Sequence, residues 1–173
     1  MSHVADMFAR RGVGMDSLQE IGFLKFSEIR RRRRQDPSWT LRRRQDLQEN
    51  DPELYGDPAQ AARLIVVSHA WLTPQHADPE GRQLDEIIRR VEDCILPTSC
   101  LFRYCSSWVN LWRHYFYLSH GGDVLLFFDQ SSIHQYPRKK WETKMFKRAL
   151  GDMPLLYAKF DVLVVDWVPS DGE

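Results

Sequence analysis

Three short apolar runs dominate the pattern of hydrophobic and polar positions along this chain. They span Leu64–Ser68, Val124–Phe128 and Val162–Val165, and each ends abruptly in polar residues. A strand buried on both faces has this pattern, because the side chains of both faces must be apolar. Segments with helical periodicity separate the runs. The pattern therefore predicts a parallel α/β sheet flanked by helices.

Three amphipathic segments are the candidate helices between and after these strands. The first follows Asp78-Pro79, a typical helix start, and the second ends at Gly121-Gly122. Their apolar positions, which we assign to the core, are Leu84, Ile87, Ile88, Val91 and Ile95 in the first helix, Trp108, Leu111, Trp112, Tyr115 and Phe116 in the second (104–118), and Trp141, Met145, Phe146 and Ala149 in the third (139–150).

Charge divides the chain although its formal net charge is zero. Residues 1–44 carry 11 basic against five acidic residues, in part as the clusters Arg30–Arg34 and Arg42–Arg44, and residues 45–62 carry five acids and no base. We predict a charged extension over 1–62, partly disordered or helical, before an α/β domain over 63–173. We favour arginines that pair with the acids downstream. The open alternative is that the clusters bind a nucleic acid or an acidic partner.

Cysteine content and hydropathy bear on the compartment. The three cysteines, Cys94, Cys100 and Cys105, form an odd set without a secretory signal, which is typical of a reducing compartment. We therefore expect a cytoplasmic protein with free thiols, and no metal site, because the spacing to His114 or His120 fits no common zinc pattern. No apolar run approaches the ~20 residues of a membrane span.

Polar side chains follow two of the predicted strands at the point where each strand ends. Ligands bind at the carboxyl ends of parallel strands, so we expect a ligand crevice there. The candidate ligand-binding residues are Ser68, His69, Trp71, Asp129, Gln130 and Ser131. A serine can bind a phosphate or ribose, and a carboxylate can accept hydrogen bonds from sugar hydroxyls. The open alternative is that these residues only satisfy loop and turn backbone groups.

The same residues resemble motifs of two related families. Ser68-His69-Ala70-Trp71 resembles the first-strand motif S-(H/Y)-x-W of heterokaryon-incompatibility (HET) domains, and Phe127–Gln135 resembles their second-strand motif, with Ser132 in place of the usual cysteine. Leu64–Trp71, followed by Asp78-Pro79 and a helix, looks like the start of a TIR-like domain. A later passage through Phe146, Met153 and Tyr157 is also similar. The resemblance covers about residues 63–168.

This resemblance implies a flavodoxin-like sheet and one of two activities. Some TIR-like domains self-associate in immune or cell-death signalling, and others cleave NAD at the nicotinamide–ribose bond, with NAD as substrate rather than cofactor. The catalytic glutamate of the enzymes lies on a helix after the third strand, which would begin near Pro169, and the chain ends at Glu173. We therefore expect weak or no NAD hydrolysis. Glu142 is the substitute catalytic candidate, although an acid in a first helical turn has an ordinary structural explanation.

Three functions remain open at this point. The first is a signalling or defence domain that self-associates and binds a nucleotide of NAD type. The second is an active N-glycosidase or nucleoside deoxyribosyltransferase-type enzyme. The third is a non-enzymatic interaction module with a basic arm. The pattern also predicts that residues 1–60 are dispensable for folding, since they lie outside the apolar runs.

Overall fold

A mixed sheet of five strands forms the centre of the protein. The structure is a computed structural model that describes residues 18, 20–95 and 122–166, apart from the side chains of residues 94 and 95. Along the sheet the strands run in the order β2-β1-β4-β3-β5. They are β1 (Phe23–Lys25), β2 (Tyr55–Gly56), β3 (Arg63–His69), β4 (Val124–Phe127) and β5 (Asp161–Val165).

The three predicted strands pair in parallel within this mixed sheet. β3 lies between β4 and β5 and pairs in parallel with both, with Leu64 opposite Leu125 and Val66 opposite Val162. The prediction that these three strands lie in parallel in one sheet is confirmed, although the whole sheet is mixed rather than parallel. Since parallel strands end at the same edge, the polar residues after β3 and β4 lie at one side of the sheet.

Two further strands come from the segment that the sequence places outside the core. β1 pairs antiparallel with β4, with Leu24 opposite Leu126, and with β2 at the sheet edge. Apolar residues of this segment are also buried, namely Leu24, Ile29, Leu41, Leu47 and Leu54. The structure thus differs from the expectation of a separate extension over 1–62, because its described part completes the sheet and its core.

The helices cover the sheet on both sides. They are α1 (Phe26–Gln35), α2 (Arg44–Asn50), α3 (Arg82–Ile95), α4 (Asp129–Ser132) and α5 (Lys140–Lys159), with 3₁₀ turns at Pro52–Leu54 and Pro58–Gln60. Residues of α1, α2 and α3 form one core layer, and residues of α5 form the other. The predicted helix over 104–118, Cys100 and Cys105 lie outside the described residues.

Burial of the last helix and the last strand corrects two details of the prediction. α5 buries Ala149 as expected, but Trp141 is 54% exposed. β5 is an edge strand, and its Val162 and Val164 are 41% and 57% exposed. An apolar run indicates a strand, but tertiary packing decides whether both of its faces are covered.

The arginine clusters are neutralised within the protein. Their carboxylate partners lie both in the acidic stretch just downstream and on α3. The pairs are Arg32 with Asp51 and Glu53, Arg33 with Asp85, Arg30 and Arg34 with Glu92, and Arg43 with Asp46. The interpretation that downstream acids pair with these arginines is confirmed for Arg32, Arg42 and Arg43.

Candidate functional site

The ends of β3 and β4 bring three predicted site residues into direct contact. His69 is the last residue of β3, and Asp129 follows β4 and begins α4. His69 Nε2 lies 3.0 Å from Asp129 Oδ1, and the indole N–H of Trp71 donates to Asp129 Oδ2 at 2.8 Å. Both oxygens of one carboxylate are therefore held by side chains from the neighbouring strand end. We name His69, Trp71 and Asp129 the strand-end triad.

Packing and hydrogen bonding fix the His69 ring. It stacks on Phe128 with ring centroids 4.2 Å apart and an interplanar angle of 4°. Its side chain is only 2% exposed, and its Nδ1 lies 3.3 Å from the carbonyl oxygen of Ala70. A neutral imidazole has a single N–H and can donate to only one of the two facing oxygens.

Asp129 carries the negative charge of this site. Burial alone would raise its pKa, but hydrogen bonds from His69, from Trp71 and from the backbone N–H of Gln130 outweigh burial, and the net pKa lies below its usual value. The carboxylate is thus ionised at neutral pH. Its side chain remains 27% exposed, so a ligand can approach it from solvent.

Tyr157 interacts electrostatically with Asp129 and is not among the predicted site residues. It lies in the last turns of α5, and burial, together with the charge of Asp129, raises the pKa of its hydroxyl. The sequence marked Tyr157 only as part of the resemblance. Residues 129 and 157 are far apart in the chain, so this electrostatic interaction depends on the packing of α5 and has no local sequence signal.

Gln130 and Ser131 are buried, and their side chains form hydrogen bonds with backbone groups of neighbouring segments. Gln130 Oε1 accepts a hydrogen bond from the backbone N–H of Ala77 at 2.8 Å, and the Ser131 hydroxyl donates to the carbonyl of Arg42 at 2.6 Å. These bonds attach α4 to the loop after β3 and to the segment before α2. Both residues hold α4 in place, and the side-chain amide nitrogen of Gln130 is buried without a hydrogen-bond partner among the described residues.

Ser68 lies on the opposite face of the sheet from His69. Successive side chains of a strand alternate between faces. Leu64 and Val66 pack in the layer of α5, and Val67 packs in the layer of α3. By this alternation Ser68 belongs to the α5 side. The structure therefore does not bring Ser68 together with the triad.

Glu142 has a structural role at the start of α5. Its side chain accepts a hydrogen bond from the backbone N–H of Lys139 at 2.6 Å, and the residue is only 5% exposed. In the part of the chain that the structure describes, no hydrogen bond joins Glu142 to Asp129 or His69. This arrangement matches the ordinary explanation of an acid in a first helical turn.

A cavity of about 560 Å³ lies away from the triad, between α3 and the end of β5. Its charged lining residues pair with one another, for example Arg90 with Glu86 and with Asp166. This cavity contains none of the predicted site residues. We therefore place the candidate site at the strand-end triad.

Comparisons with known protein families, with curated proteins and with solved structures gave no match for this chain. Within residues 20–95 and 122–166, no group of histidine, cysteine and acidic side chains is suited to hold a metal ion. None of the described helices is long and apolar enough to cross a membrane. The geometry of the triad is therefore the evidence on which a function is proposed.

Proposed function

We propose that the strand-end triad binds a nucleotide of NAD type within a TIR/HET-like signalling or defence domain that acts in the cytoplasm by self-association. One observation carries the proposal. The ionised carboxylate of Asp129 is fixed by His69 and Trp71 at the carboxyl edge of parallel strands, where ligands bind in open α/β sheets.

The strand order supports the flavodoxin-like part of the proposal. The three parallel strands lie in the order β4-β3-β5, so the first of them in the chain is flanked by the second and the third. The same 2-1-3 order begins the flavodoxin-like sheet. β1 and β2 add an antiparallel edge beside β4. Mixed sheets with such an edge are common among doubly wound folds.

The chemistry of the triad suits a ribosyl ligand with a cationic base. A carboxylate can accept hydrogen bonds from ribose hydroxyls and can stabilise positive charge at the nicotinamide–ribose bond. Trp71 is 38% exposed, and its ring offers a face to an aromatic or cationic group. Asp129 already accepts hydrogen bonds from His69, from Trp71 and from its neighbour's backbone N–H. We therefore expect an electrostatic role in binding, with weak or no hydrolysis.

Calorimetric titration with NAD, together with measurement of nicotinamide release, tests this proposal. We expect Asp129→Asn to weaken NAD binding at least about tenfold, because a hydrogen-bonded charge contributes roughly 1.5–3 kcal/mol. Trp71→Phe, which removes the indole N–H but retains the ring, should weaken binding less. Glu49→Gln, an exposed acid on α2, is the matched control and should bind like the unchanged protein.

Three results would contradict the proposal. Binding of NAD that Asp129→Asn leaves unchanged would place the site elsewhere. No binding of NAD at all would remove the proposed ligand. Fast nicotinamide release that Glu142→Gln abolishes, in a variant that remains folded, would make Glu142 catalytic. Exchange of the base of a nucleoside, with NAD unaffected, would instead favour the transferase alternative.

A further inference from the structure

The first half of α5, and not the arginine clusters, carries a group of lysines without an ion pair among the described residues, whereas Arg148 at the end of this segment pairs with Glu20. Residues 138–148 contain six basic residues and a single acid, Glu142, which is buried. The arginines of the two clusters are instead engaged by carboxylates, or by backbone carbonyls in the case of Arg44. The sequence draws attention to the arginine clusters, but the positive charge that is available to attract a partner lies on α5.

Three lysines form a stripe along α5. Lys140, Lys144 and Lys147 are exposed and lie at i, i+4 and i+7, which places them on one side of the helix over about 10 Å. Gly151 continues the stripe, and a Cβ at this position would meet nothing within 4 Å. None of the three lysines forms an ion pair with a carboxylate among the described residues.

Two exposed aromatic side chains lie close to this stripe in the sequence, one in the first turn of α5 and one in the loop just before it. Trp141 is 54% exposed and Tyr136 is 82% exposed. The Trp141 ring is oriented by an edge contact with buried His134, at 5.4 Å between centroids and 78° between planes. Exposed aromatic rings next to unpaired lysines are the elements that bind unpaired bases and phosphates together.

The loop that carries Tyr136 is held in place by α2 and the residue before it. Arg43 donates to the carbonyl of Tyr136 at 3.5 Å, and Gln45 donates to the carbonyl of Pro137 at 3.4 Å. A surface whose backbone is already held loses less conformational freedom on binding. This surface is therefore prepared for a ligand.

We propose that Tyr136, Trp141 and the stripe of Lys140, Lys144 and Lys147 bind single-stranded nucleic acid. The lysines neutralise phosphates, and the aromatic rings stack on unpaired bases. An anionic membrane fits this surface less well, because the apolar side of α5, with Ala149 and Leu156, is buried against the sheet. The inference is independent of the nucleotide site proposed above.

Fluorescence anisotropy with a labelled single-stranded oligonucleotide of about 20 nucleotides tests the inference. We expect binding that weakens as salt rises between about 50 and 200 mM. Substitution of Lys140, Lys144 and Lys147 by glutamine should weaken binding at least about tenfold and reduce the slope against log salt by about 0.7 for each lost phosphate contact. Tyr136→Ser, at a side chain with little packing to lose, should weaken binding roughly fivefold or more.

A matched control removes the same charge elsewhere. Arg31, Arg34 and Arg89 are 48%, 66% and 60% exposed, and their substitution by glutamine lowers the net charge equally. This control should retain the affinity of the unchanged protein within about twofold, with circular dichroism to show that each variant is folded. Equal losses in the lysine and arginine variants would overturn the assignment to α5, since net charge alone would then explain binding.

Two further measurements distinguish the partner. A duplex of the same length should bind more weakly, because its bases are not available for stacking. Equal affinity for the duplex would overturn the stacking role of Tyr136 and Trp141. Co-sedimentation with vesicles that contain phosphatidylserine, without oligonucleotide binding, would overturn the proposal and identify a membrane surface instead.

Discussion

His134 is buried, at 1% exposure, and no described residue forms a hydrogen bond with either of its ring nitrogens. Burial, followed by the positive charge of nearby Arg44, lowers the pKa of His134 to about 4. In the unfolded chain the same imidazole titrates near its ordinary value of 6.5. Folded His134 is therefore neutral over a pH range in which the unfolded residue binds a proton.

This difference predicts an acid-sensitive stability. As pH falls below 6.5, the unfolded state gains a proton that the folded state does not, so the free energy of unfolding decreases by about 1 kcal/mol per pH unit until the folded pKa near 4 is reached. His134→Phe keeps a ring beside Trp141 and removes this contribution. Urea denaturation at pH 7.5 and pH 5 measures it. Burial also lowers the pKa of His76. Because His76 is unchanged in the His134→Phe variant, its contribution cancels when the two proteins are compared. Equal acid sensitivity of the two proteins would contradict the assignment.

At the scale of elements, Arg33 joins α1 to the start of α3. Its guanidinium donates to Asp85 at 2.7 and 2.8 Å and to the carbonyl of Trp39 at 2.8 Å. It also approaches Gly81, whose φ of 76° lies in the left-handed region, and a Cβ there would come within 2.7 Å of the guanidinium. Glycine at this turn thus permits both the backbone conformation and the close contact with Arg33.

We expect Arg33→Ala to lower the free energy of unfolding by about 2 kcal/mol, because it leaves the part-buried carbonyl oxygens of Trp39 and Gly81, and the carboxylate of Asp85, without their donor. Arg34→Ala is the matched control. Arg34 is 66% exposed and pairs with Glu92, so its loss should cost less than about 0.5 kcal/mol. Chemical denaturation compares the two variants. Similar losses would show that the contacts of Arg33 contribute no more than an exposed ion pair.

At the scale of the whole molecule, the short strand β1 connects the residues before position 63 to the rest of the sheet. Leu24 in β1 is fully buried, whereas Leu150 on α5 is 44% exposed. We expect Leu24→Ala to cost about 2–5 kcal/mol and Leu150→Ala less than about 0.5 kcal/mol, as measured by urea denaturation. Deletion of residues 1–60 should abolish cooperative unfolding, contrary to the expectation from sequence. A deleted protein that still unfolds cooperatively would show that the parallel strands suffice.

The sequence by itself determined the three parallel strands and the contact between their polar ends. Continuous apolar runs mark such strands, and strands that run in parallel must end at the same edge. It also indicated that arginines of the two clusters pair with acids downstream, as Arg32, Arg42 and Arg43 do. The opposite faces of Ser68 and His69 could have been deduced from strand alternation as well, since adjacent residues point to opposite sides.

Only the tertiary structure decided the remaining features. β1 and β2 comprise three and two residues, too few to show the alternating hydrophobic pattern of a strand. They belong to the sheet because they pair with strands that are distant in the chain. Exposure of Val162 and Val164 depends on which helices cover the edge of the sheet. The difference between paired arginines and unpaired lysines likewise follows from contacts between residues far apart in the chain. Such contacts leave no periodic trace in the sequence, because each depends on how separate elements pack.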